Sequence, residues 1–191
     1  MATEALKSNP IVNLDSFPVV TNTTGEGDDG MMRSVNGHVA ATAGVTSPST
    51  YRMVRIPTNA KVKHVLLRSV AQGGASAVDV DVAFSDSTVD GTQQSLAGGV
   101  VQITGPADNK LFGAATSLVS AVGTATAAYA DITFGGTFTT DHTNLPLWQV
   151  LVNLGATQFS SDPGGFFDIF LKSTATITNG GDIAVEVQYC V

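Results

Sequence analysis

Few side chains in this sequence have the types and spacing that enzymes or metal sites use. Asp79 and Asp81 alternate with valines in AVDVDVAF, so both carboxylates face one side of a predicted strand and could in principle act as an acid–base pair. Carboxylates two positions apart on an exposed strand usually only keep that face hydrated. The loops GEGDDG (25–30) and DSTVDG (86–91) offer oxygen ligands for Ca²⁺, but neither matches a calcium loop with its distant glutamate. We therefore expect no catalytic pair and no metal site here.

The histidines and the single cysteine give no stronger candidate. His38, His64 and His142 are isolated in the sequence, without the spacing that holds zinc. A nucleophile elbow, a phosphate-binding glycine loop and a dinucleotide fingerprint are all missing from the sequence. Cys190 cannot form an internal disulfide, and we expect it on the polar side of its strand as a small packed residue. The sequence thus predicts that the protein is not an enzyme and uses no cofactor.

Composition and charge limit the remaining classes. The 191 residues are 43% hydrophobic, which suits one substantial domain. Residues 1–20 hold no apolar run of signal-peptide length and no later run reaches a membrane span, so we expect a soluble protein made in the cytosol. A net charge of −7 opposes binding to phosphate backbones. Neither nucleic acid nor a membrane is an expected partner.

The basic residues are unevenly placed along the chain. Residues 52–68 contain no acid and hold five of the nine basic residues, whereas the chain from Asp79 onward is strongly acidic. One interpretation is a solvated strand face. The other is a cationic strip that meets an acidic surface of a partner and sets its orientation. On the second interpretation, the candidate contacts with a partner or a neighbouring subunit are Arg52, Arg55, Lys61, Lys63 and Arg68.

Hydrophobic residues recur with period two in short runs separated by Gly, Asn, Asp, Ser and Pro, which predicts an all-β fold. We expect a β-sandwich or jelly-roll with one or two short helices and an extended N-terminal arm. Candidate strands, besides AVDVDVAF, are 36–44, 50–56, 62–70, 98–104 and 130–139.

The last thirty residues predict a closing hairpin. Phe167, Ile169 and Leu171 share one face of the outgoing strand, and alternate residues from Ile183 to Val191 share one face of the returning strand. The TNGG segment between them supplies residues that tolerate positive φ.

Two segments have helical rather than strand spacing. Residues 109–122 place Leu111, Ala115, Leu118 and Val122 on one side. Residues 143–155 have Pro146 near a helix start and Gly155 as a stop, with Trp148 expected as a core residue.

The first 49 residues have too little periodicity for a confident core layer. They are interpreted as an N-terminal arm and edge strand, followed by one β-sandwich domain over residues 50–191. The alternatives for this segment are an edge strand followed by a loop, or an extended arm that orders against a neighbouring subunit.

The order of motifs resembles that of a viral protein family. YRMVRIPTNAKVKHVLLRS, AVDVDVAFSD, NLPLWQVLVNLG and SSDPGGFFDIFLKSTATITNGGDIAVEVQYCV, which together span most of residues 50–191, resemble small structural proteins encoded beside the major capsid protein of tailed bacteriophages. The resemblance implies a cement or decoration protein: a β-sandwich or jelly-roll subunit that sits as a homodimer or homotrimer on the capsid surface and bridges capsomers. It also implies the major capsid protein as partner, and synthesis in the host cytoplasm.

Two other functions stay open at this point. One is a different structural position in the virion, such as a head–tail connector, tail or fibre-base protein. The other is a carbohydrate-binding adhesion module, although one Trp and three Tyr offer few aromatic platforms for sugars.

Overall fold

The computed structural model describes residues 5–7, 11–12, 15–17, 32–85, 103, 110–118 and 130–191. The strands are β1 (Ala5–Lys7), β2 (Arg33–Ala41), β3 (Thr50–Pro57), β4 (Lys61–Ser69), β5 (Ala77–Phe84), β6 (Gly113–Ser117), β7 (Ala130–Asp131), β8 (Phe166–Ser173) and β9 (Gly181–Cys190). A 3₁₀ helix spans Thr140–Asn144, and helix α1 spans Leu147–Asn153.

The strands form two sheets with a shared core. The five-stranded sheet has the order β1-β3-β8-β5-β6, and the four-stranded sheet has the order β2-β9-β4-β7. All pairs are antiparallel except β1 with β3. Fully buried aliphatic residues of both sheets, such as Val80, Ile169, Val65 and Val185, belong to one hydrophobic cluster. The expected all-β sandwich is confirmed.

The strand assignments of β3, β4, β5, β8 and β9 follow the sequence pattern closely, whereas β2 begins and ends three residues before the predicted strand 36–44. The residues predicted to face the core in β8 and β9 are buried, from Phe167 to Leu171 and from Ile183 to Tyr189. Val191 is partly buried against the same core. Alternation is informative in these strands because one face of each lies against the opposite sheet.

The closing hairpin was a wrong prediction, since β8 and β9 belong to different sheets. β8 pairs with β3 and β5, whereas β9 pairs with β2 and β4. The connection between them crosses the sandwich, and on the way Ile177 forms a bridge with Val45 and is fully buried. A turn signal between two alternating runs does not tell a hairpin from a crossing between sheets.

The predicted helix over 109–122 is also wrong where the structure describes it, because Gly113–Ser117 forms β6 against β5. Pairing with β5 decides the backbone here: Leu111, Phe112 and Leu118 are buried, and the Ala115 N–H donates to Asp79 Oδ1 at 2.7 Å. Residues 109 and 119–122 lie outside the described part of the chain.

Of the predicted strand 130–139, only the two residues of β7 form a strand, and turns follow them. Of the predicted strand 98–104, only Ile103 is described, and it is buried in the core. The predicted helix over 143–155 is confirmed as α1, with Pro146 at its N-cap and Gly155 just beyond its end. Its residues Leu147, Val150 and Leu151 are buried, and Trp148 packs partly against the core.

The first 49 residues contribute to both sheets where they are described. β1 adds to the edge of β3, and β2 is an edge strand of the four-stranded sheet, paired with β9 over nine residues. The described part of the segment therefore contacts its own sandwich.

Candidate contact surfaces

A β-bulge in β3 decides where its two arginines point. The register against β8 shifts between Arg52 and Val54, so Met53 is the extra residue. Without the bulge, residues three apart would face opposite sides of the sheet. With it, Tyr51 and Ile56 face the core while Arg52 and Arg55 share the outer face of the five-stranded sheet.

Both arginines bind one carboxylate on the neighbouring strand. Asp168 accepts from Arg55 Nε at 2.7 Å and Nη2 at 3.0 Å, and from Arg52 Nη1 at 3.0 Å. The side chain of Asp168 is fully buried, and those of Arg52 and Arg55 are almost so. We call these three residues the buried ion cluster. One carboxylate is shared by two guanidinium groups, so the three residues together carry a net charge of +1.

The N-terminal segment extends this cluster to the surface. Arg55 Nη1 donates to Asp15 Oδ1 at 2.8 Å, and Lys7 Nζ donates to Asp15 Oδ2 at 2.9 Å. Burial raises the pKa of Asp15, but the hydrogen bonds from Lys7 and Arg55 outweigh it, so this pKa is lowered overall. Asp15 therefore stays ionised and links the segment to the sheet.

Burial and pairing act in opposite directions on the other two groups. Burial lowers the pKa of Arg55, yet the hydrogen bonds to Asp168 and Asp15 leave it raised overall. Burial raises the pKa of Asp168, and the Arg55 and Arg52 guanidinium groups oppose that rise. The carboxylate depends on both arginines to remain charged out of water.

Asp79 and Asp81 are not on an exposed face, which corrects the sequence interpretation. They lie on the outer face of the five-stranded sheet but are 6% and 3% exposed. Asp79 binds the backbone of Ala115, and Asp81 accepts weakly from the Leu111 N–H at 3.4 Å. Burial, with a smaller contribution from Asp79, raises the pKa of Asp81 to about 6.

Replacing Asp81 should stabilise the protein at neutral pH. The pKa of Asp81 is higher in the folded protein than its ordinary 3.8, so stability falls as the pH rises from that value to about 6 and stays low above it. We expect Asp81→Asn to gain up to about 3 kcal/mol in free energy of unfolding at about pH 8 and nothing at about pH 3.

Urea unfolding at both pH values measures this difference. Asp131→Asn is the control with the opposite sign. Burial raises the pKa of Asp131, but hydrogen bonds from Thr133 and His64 outweigh burial, so this pKa is lowered overall. The Asp131→Asn variant should therefore lose stability at about pH 8. A loss for Asp81→Asn at that pH would show that its charged form is well solvated or paired.

The outer face of the four-stranded sheet is polar and accessible. A second bulge, between Val62 and His64 of β4, places Lys61, His64 and Arg68 on this face beside β9. Their neighbours include Asp182, on an adjacent part of β9, and Glu186, which accepts from Ser34 at 2.8 Å. Lys61 and Arg68 are exposed. Two cations are therefore accessible to solvent on this face.

Lys63 has a different position. Its Nζ donates to the Thr143 carbonyl at 2.7 Å and to Asn144 Oδ1 at 3.1 Å, at the end of the 3₁₀ helix. A cation there satisfies carbonyls that the helix leaves without partners. Lys63 thus fixes the segment that leads into α1.

The five predicted contact residues therefore do not form one strip. Arg52 and Arg55 lie in the buried ion cluster, Lys63 binds the 3₁₀ helix, and Lys61 and Arg68 are exposed on the opposite sheet. The sequence reasoning missed Asp168 and Asp15. An acid in the middle of the apolar run FFDIF was the available signal, because a buried carboxylate requires a cationic partner.

The remaining candidates make local contacts. His64 Nδ1 lies 2.9 Å from Asp131, His38 lies 3.5 Å from Asp182, and His142 Nδ1 accepts from the Thr139 N–H at 3.0 Å. Cys190 is a half-exposed free thiol. Among the described residues, no group of three or more His, Cys, Asp or Glu is arranged to hold a metal ion. The acidic loops 25–30 and 86–91, which do not match a calcium loop, lie outside the described residues.

No helix in the described part of the chain is long and apolar enough to span a membrane. No family model matches the sequence, and a search of curated proteins found no relative.

Two solved structures resemble the chain. The capsid of Ralstonia phage GP4 contains a chain with a TM-score of 0.56 and 13% identity, covering 97% of each chain. The cyanophage Pam1 capsid asymmetric unit contains one with a TM-score of 0.47 and 16% identity, covering 93% of this chain and 96% of that one. At this identity the GP4 likeness shows a shared fold.

Proposed function

We propose that this chain is a structural protein of a phage virion, with no enzymatic activity. The observation that carries the proposal is the likeness to a chain of the GP4 capsid, which extends over 97% of both chains. The sequence motifs resemble the same class of protein independently of this comparison.

Within that class, we propose a cement or decoration protein. It binds the outer capsid surface, with the major capsid protein as partner, and bridges capsomers as a homo-oligomer. The support is a chain whose charged groups are largely compensated internally on one sheet and displayed on the other. Several modest contacts, repeated over copies, would give durable attachment by avidity.

The contact residues that we propose are Lys61 and Arg68, on the outer face of the four-stranded sheet. Arg52 and Arg55 already bind a carboxylate of the same chain, and Lys63 binds the 3₁₀ helix of the same chain. Exposed cations at the rim of an interface act mainly on orientation and association rate.

Reversing both charges should weaken capsid binding. We expect Lys61→Glu with Arg68→Glu to reduce the affinity for empty, expanded capsids at least about tenfold at physiological salt, which corresponds to about 1.4 kcal/mol. Co-sedimentation with purified capsids measures the bound fraction over a range of protein concentrations.

The charge-matched control is Lys110→Glu with Lys172→Glu. Both control residues belong to the side of the five-stranded sheet, and the net charge changes by the same amount. Equal binding of the two double variants would contradict the proposed contact role. A wild-type protein that does not co-sediment with capsids would contradict the cement function itself.

A further inference from the structure

The N-terminal segment, described at residues 5–7, 11–12 and 15–17, docks on the five-stranded sheet through a short strand pairing and an ion pair. β1 pairs in parallel with β3 over three residues, with Ala5 opposite Thr50 and Lys7 opposite Arg52. Asp15 adds the ion pair with Arg55. Ile11 is fully buried, yet it does not belong to the core between the sheets. The segment therefore attaches outside the sandwich core.

The β3 side of this contact is held in place by other parts of the chain. β3 is paired with β8 over its whole length, and Asp168 fixes the Arg55 guanidinium by two hydrogen bonds of 2.7 and 3.0 Å. This leaves Arg55 Nη1 directed at Asp15. A preorganised strand edge with a fixed guanidinium accepts a short strand followed by a carboxylate at the matching position.

The chain length allows the segment to reach beyond its own sandwich. Fourteen residues, 18–31, separate Phe17 from Met32. Such a length spans up to about 50 Å when extended, whereas a domain of this size has a radius of gyration of about 16 Å. The segment also presents apolar side chains to solvent, since Val12 is 50% and Phe17 fully exposed.

We propose that the β3 edge together with Arg55 is a docking site for the N-terminal segment of a second copy of this chain, in exchange with the chain's own segment. The backbone pairing and the Asp15–Arg55 contact are the same in both arrangements. The difference is entropic, and a short tether corresponds to an effective concentration of about 1 mM. Exchange is favoured wherever the local concentration of copies exceeds that effective concentration. The inference does not rest on the capsid proposal.

Two single-cysteine proteins test the exchange, both carrying Cys190→Ser. One has Ala5→Cys, an exposed position on β1, and the other has Thr50→Cys, its partner on β3. A disulfide between them forms only when β1 of one chain lies on β3 of the other. Mixed at about 1 mM and mildly oxidised, they should give at least about fivefold more crossed dimer than at about 10 µM.

The matched control mixes Ala5→Cys with Asn36→Cys, an exposed position on the other sheet. Crossed dimer no greater than in this control at about 1 mM would overturn the proposal. Adding Asp15→Asn to the Ala5→Cys chain should lower the yield several-fold, and an unchanged yield would overturn the role of Arg55.

Sedimentation of the protein without engineered cysteines gives a second measurement. Its dimer fraction should rise as the concentration approaches about 1 mM, and should be smaller for Asp15→Asn. A monomer at all concentrations would overturn the exchange whatever the cysteine variants do.

Discussion

Asp168→Ala should lose about 3–5 kcal/mol of unfolding free energy, a large part of the total for a domain of this kind. The substitution leaves Arg52 and Arg55 buried with one fewer carboxylate between them, and their side chains are only 4% and 3% exposed. Two guanidinium groups that lose their counter-charge in a nearly dry site cost far more than the contacts removed. Guanidinium chloride unfolding measures the loss.

Asp182→Ala is the matched control, because Asp182 is an exposed carboxylate 3.5 Å from His38 on the other sheet. We expect it to cost less than about 1 kcal/mol. Replacing the whole cluster by Asp168→Leu, Arg52→Met and Arg55→Met should recover much of the stability lost in Asp168→Ala. A loss for Asp168→Ala no larger than for the control would contradict the proposed importance of the cluster.

Gly37→Ala should cost about 3 kcal/mol, an unusual effect for one added methyl group. A Cβ at this position would lie 1.8 Å from the Met53 carbonyl oxygen and 2.6 Å from its carbon. Both obstructing atoms belong to the backbone of β3, so no side-chain rotation relieves the clash. The two sheets would have to separate where β2 and β3 approach each other.

The control for Gly37→Ala is Asn36→Ala, at an exposed position of the same strand. It should change the free energy of unfolding by less than about 0.5 kcal/mol. Thermal unfolding of both variants, followed by circular dichroism, compares them. A Gly37→Ala protein as stable as the Asn36→Ala protein would mean that β2 does not close on β3 in solution.

The sequence predicts strands well wherever one face is buried. Alternation identified β5, β8 and β9, because each lies against the opposite sheet and a shift of one residue would expose its apolar side. Pro146 and Gly155 correctly bounded α1, because each acts through its own backbone geometry. Local rules are enough for these elements.

Features that depend on distant partners could not be read from the sequence. The assignment of β8 and β9 to different sheets depends on pairing with β3, β5, β2 and β4 rather than on the TNGG turn. The segment around Ala115 has helical spacing, but pairing with β5 makes it a strand. Periodicity alone does not specify which neighbour a segment finds.

The candidate site shows the same limit. The five basic residues between Arg52 and Arg68 are close in sequence, but the bulges at Met53 and Lys63 and the turn between β3 and β4 send them to three environments. Asp168 follows Arg52 and Arg55 by more than a hundred positions and still binds both of them. A cluster of basic residues in a sequence forms a surface patch only when its members are not paired with buried carboxylates.

Quantitative mass spectrometry of gradient-purified particles tests the proposed virion location of this chain most directly. We expect its peptides in intact particles, at a copy number comparable to that of the major shell protein. A copy number on the scale of a single ring would place it at the neck or tail instead of the shell. Absence from purified particles, with abundant protein in the infected cell, would contradict the assignment.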